Sequence, residues 1–324
     1  MGSRSSSLLA AAALSVAALS GCDSQPEPVP PPPAVATPTA DPVYDGSQQP
    51  AAAVLALVPA ESTALLVSDF ATIRLELGYS ELTSESPRAK RARFWRKAER
   101  QAPLLVTGRL RPDEQQLETD FGFTGDDVQW EALFDTPSGA GWVLRLRDDL
   151  DLDGVQRAID AGVPSLAGGV IDAERHLVTQ GAAASPEASW AAVPERAALV
   201  GGPASATYLG TDCLPFDVAF GSDVENDLAP APADAMESLD QLADFSVSFG
   251  STLGTVRLGA PRSDTFDRAR LADLLPATDP EFGLGFASPV ADPSGGRIGY
   301  RVDDASVAAR LVLDQRLPFA VCAG

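Results

Sequence analysis

His176 is the only histidine in the 324-residue chain. Any Ser-His-Asp relay would therefore have to pass through it. No Gly-x-Ser-x-Gly elbow accompanies it; in Gly250-Ser251-Thr252-Leu253-Gly254 the serine follows the first glycine directly, one place too early. Lys90 and Lys97 are the only lysines, and neither stands three residues after a serine, so the Ser-x-x-Lys nucleophile pattern is missing as well. A zinc site needs several nitrogen or sulfur ligands at defined spacing, which one histidine and scattered cysteines do not provide. No glycine-rich phosphate loop of either standard type occurs. The pairs Asp126-Asp127 and Asp148-Asp149 offer carboxylates that glycoside hydrolysis could use. The aromatic side chains that line sugar clefts are few, however, and Trp95, Trp130, Trp142 and Trp190 read as core anchors. Asp149, Asp151 and Asp153, followed by Gly154, have the alternating spacing of the front of an EF-hand loop. Position twelve is Asp160 rather than glutamate, Leu150 and Leu152 are apolar, and Gln156 takes the usually apolar eighth place. These acids read as the start of a helix, where the dipole favours them. The expectation is no catalytic set, no metal and no cofactor.

Charge narrows the partners. With 24 Lys and Arg against 45 Asp and Glu, the formal net charge is −21. Such a surface repels nucleic acid. The positive residues concentrate in one stretch: Arg88, Lys90, Arg91, Arg93, Arg96, Lys97 and Arg100. Helical spacing puts Arg93, Arg96, Lys97 and Arg100 on one face. Two readings are open. The face touches anionic lipid or an anionic wall polymer, or it is a solvated face paired with acids such as Glu99 or docked on the acidic body. The second is the expectation.

The chain has three cysteines, at 22, 213 and 322. Arg4 is the only charge ahead of an apolar run from Leu8 to Leu19, too short to span a bilayer and suited to a secretory signal. Leu19-Ser20-Gly21-Cys22 resembles a bacterial lipobox. The resemblance implies cleavage between Gly21 and Cys22 and acylation of Cys22, which would hold the mature chain on the extracytoplasmic face of the cell membrane by two or more acyl chains. Residues 23–50 are rich in Pro, Ala, Thr and Gln, with four consecutive prolines at 30–33; they read as a disordered, extended tether. An exported chain meets an oxidising setting, so Cys213 and Cys322 are expected to form a disulfide.

The elements behind these residues follow from periodicity. Strands are expected from Ser62 to Phe70, Trp130 to Phe134, Gly141 to Arg147 and Leu177 to Gln180. In the second half they are expected at Phe245–Phe249, Gly254–Leu258, Phe282–Phe286, Arg297–Val302 and Phe319–Cys322. Helices are expected at Ala71–Leu77, Arg88–Gln101, Pro112–Glu118, Asp151–Ala161, Thr265–Leu275 and Ala305–Gln315. Thr124 with Asp127 three residues on resembles a capping box. A Pro-Ser-Gly turn occurs at 137–139 and again at 293–295, each followed by a strand, an Asp-Asp pair and a helix. This repetition points to an α+β fold of two tandem β-α-β-β-α-β, ferredoxin-like modules. The expected organisation is a signal peptide at 1–21, lipidated Cys22 with its tether at 22–50, a first module at 51–181, a connecting segment at 182–232 and a second module at 233–324.

The stretch Leu57 to Phe70, with Phe94-Trp95, Asp120 to Phe123 and Asp126 to Glu131, resembles lipoproteins of actinobacteria that have no assigned activity. That resemblance implies the same address, a lipid-anchored protein outside the cytoplasmic membrane, and no reaction. The sequence thus points to a non-enzymatic interaction or structural module whose partners are the bilayer and an envelope protein or polymer. The alternatives are a small-solute or lipid carrier or sensor with a cleft between the modules, and a carboxylate-based hydrolase.

Overall fold

Ala64–Asp69 forms strand β1, at the centre of the sheet. Leu65 and Val67 point to one face and Leu66 and Ser68 to the other, and three of these four are fully buried. Period-two alternation with cover on both sides produces the short, almost wholly apolar run seen in the sequence. The computed structural model describes residues 43–221, 236–271, 273 and 281–323. Gly21, Cys22 and most of the tether lie outside the described residues.

The other strands are β2 (Val128–Thr136), β3 (Gly139–Leu146), β4 (Val170–Asp172), β5 (Leu177–Gln180), β6 (Ala206–Thr211), β7 (Asp244–Phe249), β8 (Leu253–Arg257), β9 (Ala287–Asp292) and β10 (Arg297–Arg301). Among the described residues they build one antiparallel sheet in the order β4-β5-β3-β2-β1-β6-β7-β8-β10-β9. The helices Phe70–Leu77, Arg88–Gln101 and Leu152–Asp160 cover one face of the first half, over Leu66, Trp142, Leu144 and Val178. Thr265–Leu271 and Ala305–Leu313 cover the second half, over Phe245, Val247, Phe249 and Ile298. Arg88–Gln101 touches both Phe70–Leu77 and Ala305–Leu313, and so joins the two helix sets. On the opposite face a separate core contains Val54, Leu55, Val58, Val67, Phe134, Trp190 and Leu199, with Tyr44 packed against it.

The fold is mixed α and β, as expected, but the two-module arrangement is corrected. A split β-α-β unit sets its third strand between the first two; here β1 pairs directly with β2, Leu66 opposite Leu133. The halves are not separate either, because β1 also pairs with β6, Leu66 opposite Tyr208. A repeat does exist with different bounds. Read outward from the β1–β6 pair, one half runs β1-β2-β3-β5-β4 and the other β6-β7-β8-β10-β9. The two Pro-Ser-Gly turns join β2 to β3 and β9 to β10, which are not equivalent hairpins in that repeat. They are alike because tight turns favour those residues. The expected connecting segment 182–232 contains β6, one of the two central strands, and the buried Trp190. The second half of the sheet therefore begins at Ala206, ahead of the expected start at 233.

Two expected strands are also corrected. Phe282–Gly285 is a helical turn. Phe282 and Phe286 lie on one side of it, their rings stacked with centroids 5.3 Å apart. Spacing of i, i+4 satisfies period 2 as well as period 3.6, so two phenylalanines could not separate strand from helix. Near the end, Pro318–Ala320 is a 3₁₀ turn, after which Val321 bridges in parallel to Leu214.

Candidate functional site

The helix Arg88–Gln101 carries most of the chain's clustered positive charge, and its two faces use that charge differently. It starts after Pro87, whose fixed φ suits a helix entrance, and its Arg, Ala, Lys, Glu and Gln residues are good helix formers. Phe94, Trp95 and Ala98 are buried. Trp95 meets Phe94 and Phe70 edge-on, with ring centroids at 5.0 and 5.4 Å.

Arg91 lies on the same inner face, 1% exposed. Its guanidinium donates to Glu118 Oε1 at 2.7 Å, Glu114 Oε1 at 3.0 Å and Asp126 Oδ2 at 3.3 Å, while Nε donates to the Ser86 carbonyl at 3.2 Å. Trp95 Nε1 donates to Asp126 Oδ1 at 3.0 Å. Burial pushes the Asp126 carboxyl above the ordinary aspartate value, and the donors Trp95 and Arg91 offset part of that. The loop that presents Asp126 is closed by the expected capping box: Thr124 N–H donates to Asp127 Oδ2 at 3.0 Å, and Asp126 N–H donates to Thr124 Oγ1 at 3.2 Å. Arg74 braces the same loop by donating to the carbonyls of Asp126 and Val128. Arg88 pairs with Glu118 at 2.9 Å and Arg111 with Glu99 at 2.9 Å. Arg111 also lies over the Trp95 ring, 4.5 Å from its centroid. Arg88, Arg91, Trp95, Arg96, Glu99, Arg111, Glu114 and Glu118 line an open groove of about 520 Å³ between the helix and residues 111–118. Apart from Arg96, which also lines it, every charge in it is matched, so the groove grips its own walls and presents no unpaired acid or nucleophile.

The outer face is the reverse. Arg93, Arg96 and Arg100 are exposed, and Lys90 is half-buried beside them. Among the described residues none of these four pairs with a carboxylate. The expected pairing with Glu99 does not form, because Glu99 faces the groove and holds Arg111. Lys97 departs from the group of four expected on this face. Its Nζ donates to the Leu77 carbonyl at 3.0 Å and lies 6.0 Å from the Tyr79 ring centroid, where it closes the C-terminus of Phe70–Leu77.

The other singled-out residues have structural duties. Cys213 and Cys322 are bonded, their Cα atoms 4.8 Å apart and 109 residues distant in sequence. Asp149 pairs with Arg147 at 2.6 Å, and Asp151 Oδ1 accepts the Asp153 N–H at 3.0 Å as the cap of Leu152–Asp160. Gly154 is explained by packing, since a Cβ there would lie 2.5 Å from the Phe121 carbonyl oxygen. No group of three or more His, Cys, Asp or Glu among the described residues is placed to hold a metal ion. Asp148 pairs with Arg145 and Asp127 with Arg147, so neither acid pair forms a free carboxylate dyad. His176 occupies the turn between β4 and β5 at φ 49°.

Among the buried acids that sequence reading passed over is Glu131 on β2, 2% exposed. Its Oε2 accepts the Arg109 N–H at 2.8 Å. Burial pushes its carboxyl up to about 7, despite that bond and the nearby Arg109 charge. The signal was strand parity: Trp130, Ala132 and Phe134 share one face, which sends Glu131 to the other, beneath the helices. No known protein family, no curated protein and no solved structure matches this chain.

Proposed function

We propose that the chain is a lipid-anchored envelope protein, acylated at Cys22 and held on the extracytoplasmic face of the cell membrane, whose folded body acts by contact and not by catalysis. The address is supported by the lipobox-like Leu19 to Cys22 and the proline-rich stretch behind it. The role is supported by one observation: the Arg88–Gln101 helix neutralises its inner cations in ion pairs and leaves the outer ones unpaired. In a chain with almost twice as many acids as bases, partners for Arg93, Arg96 and Arg100 are plentiful. An unpaired cationic face in that setting suits an anionic component of the envelope.

Crosslinking in intact cells tests this reading. A photo-crosslinking residue at Arg93 should repeatedly capture the same envelope component, and one at Arg257, on β8, should not. Equal or random capture from both positions would contradict a contact role for the helix. Turnover of a glycan or ester substrate, lost when Asp126 or Asp148 becomes asparagine, would move the protein to the hydrolases.

A further inference from the structure

We infer that Lys90, Arg93, Arg96 and Arg100 form a docking face for anionic phospholipid headgroups, so that the body lies against the bilayer that its N-terminus is proposed to enter. This rests on the lipid-anchor reading above. The face is preorganised. Trp95, Phe94 and the buried Arg91 lock the helix to the body from within, so the outer side chains project from a rigid rod. From Lys90 to Arg100 that rod is about 15 Å long at 1.5 Å per residue, a span over which several headgroups fit.

The overall charge of −21 does not forbid this contact. At physiological salt the Debye length is about 8 Å. A lipid surface touching the helix therefore responds to the four cations it meets and only weakly to acids across the molecule. Each cation near an anionic surface contributes about 1 kcal/mol, enough for measurable binding without the anchor, and the tether strengthens it. About twenty residues separate Cys22 from the first described residue, Val43. As an extended proline-rich chain they would reach at most about 65 Å, which keeps the face at high effective concentration near its headgroups. Tyr44 packs on the sheet face opposite the helices.

The competing occupant is an anionic wall polymer. It lacks the tether's effect on concentration, and the test separates the two. All described residues fall in one compact unit, Thr39–Gly324, so the mature chain 22–324 carrying Cys22→Ser serves as the unanchored protein. It is sedimented with vesicles of phosphatidylcholine alone and with vesicles containing about 40% phosphatidylglycerol, at about 0.1 M salt. The expected result is binding to the anionic vesicles at least roughly tenfold above the neutral ones, abolished at about 0.5 M salt. The Arg93→Gln, Arg96→Gln, Arg100→Gln triple variant should fall to the neutral level with an unchanged melting curve. Arg157→Gln with Arg257→Gln, which removes two arginines elsewhere, should bind like the parent. If the triple variant unfolds, Arg96→Gln alone should still weaken binding measurably. Equal sedimentation with both vesicle types, full binding by the triple variant, or binding to isolated wall polymer but not to vesicles would each overturn the inference. Because this assay contains no acyl chain, its failure leaves the Cys22 anchor standing, and failure of the anchor leaves the vesicle result standing.

Discussion

The backbone N–H of Arg109 donates to Glu131 Oε2 at 2.8 Å, which ties the irregular segment 102–110 to the sheet beneath it. Ser68, opposite Glu131 on β1, completes the fastening: its Oγ accepts the N–H groups of Leu105 and Val106 at 3.2 and 3.1 Å. This strap carries Leu104, Leu105 and Val106 into the core and connects the Arg88–Gln101 helix to the 111–118 wall of the groove. A buried carboxyl therefore sets the position of the candidate site.

That carboxyl makes stability depend on pH in a defined direction. Its folded value of about 7 lies above the ordinary 4.5 of glutamate. Between those values the native state binds the proton more tightly than the unfolded chain, so Glu131 favours folding most at low pH and loses that contribution as pH rises through 7. Glu131→Gln keeps an acceptor for the Arg109 N–H without a charge. Urea unfolding of both proteins at pH 5 and pH 8 should show the variant gaining on the parent by roughly 3 kcal/mol over that interval. Parallel stability profiles would refute the assignment.

The Arg91 node should be costly to break from one side. Arg91→Met leaves Asp126 buried with Trp95 and Thr124 as its remaining side-chain donors and strips Glu118 of one of its two arginines. Removing one partner of a buried pair typically costs about 3–5 kcal/mol. Asp126→Asn in the Arg91→Met background should recover part of that loss, because the uncompensated charge is then gone. A double variant no better than the single one would show that the node stabilises by packing alone.

The disulfide has a second fastening beside it. Arg268 donates to the carbonyls of Phe319 and Val321 at 3.0 and 2.9 Å, while its Nε pairs with Asp264 at 2.7 Å. Burial opposes ionisation of Asp264, but hydrogen bonds from Arg262 and Arg268 prevail and hold its carboxyl down to about 2. Cys213→Ser with Cys322→Ser should therefore lower stability by about 2–4 kcal/mol yet leave a cooperative transition. Arg268→Met added to that pair should cost more than the two changes measured separately. Simple additivity would mean the two fastenings act on different parts of the chain.

Local structure was legible where one periodicity stood alone. Arg88–Gln101, Leu177–Gln180 and the Thr124–Asp127 cap form at the expected residues because their patterns admit a single reading. Phe282 and Phe286 did not separate strand from helix, and β6 was hidden by the Pro, Ala, Gly and Ser around it. Strand order was not legible, because it depends on which backbone edges meet, and Leu66 reads the same beside Leu133 as beside any other strand. At the site, the helical face of Arg93, Arg96 and Arg100 followed from spacing. Their lack of partners did not, since it depends on Glu99 turning toward Arg111. Lys97 left the group for the same kind of reason, the position of Leu77 in space.

The central claim is that the thiol at position 22 carries the acyl chains holding this body at its membrane. Mass spectrometry of the N-terminal peptide of the protein extracted from membranes tests it directly. The account predicts a peptide beginning at Cys22 that carries a diacylglycerol and an amide-linked acyl chain, and loss of that species with release into the medium for Cys22→Ala. An unmodified N-terminal peptide, or a membrane-bound Cys22→Ala protein with the same lipid mass, would contradict it.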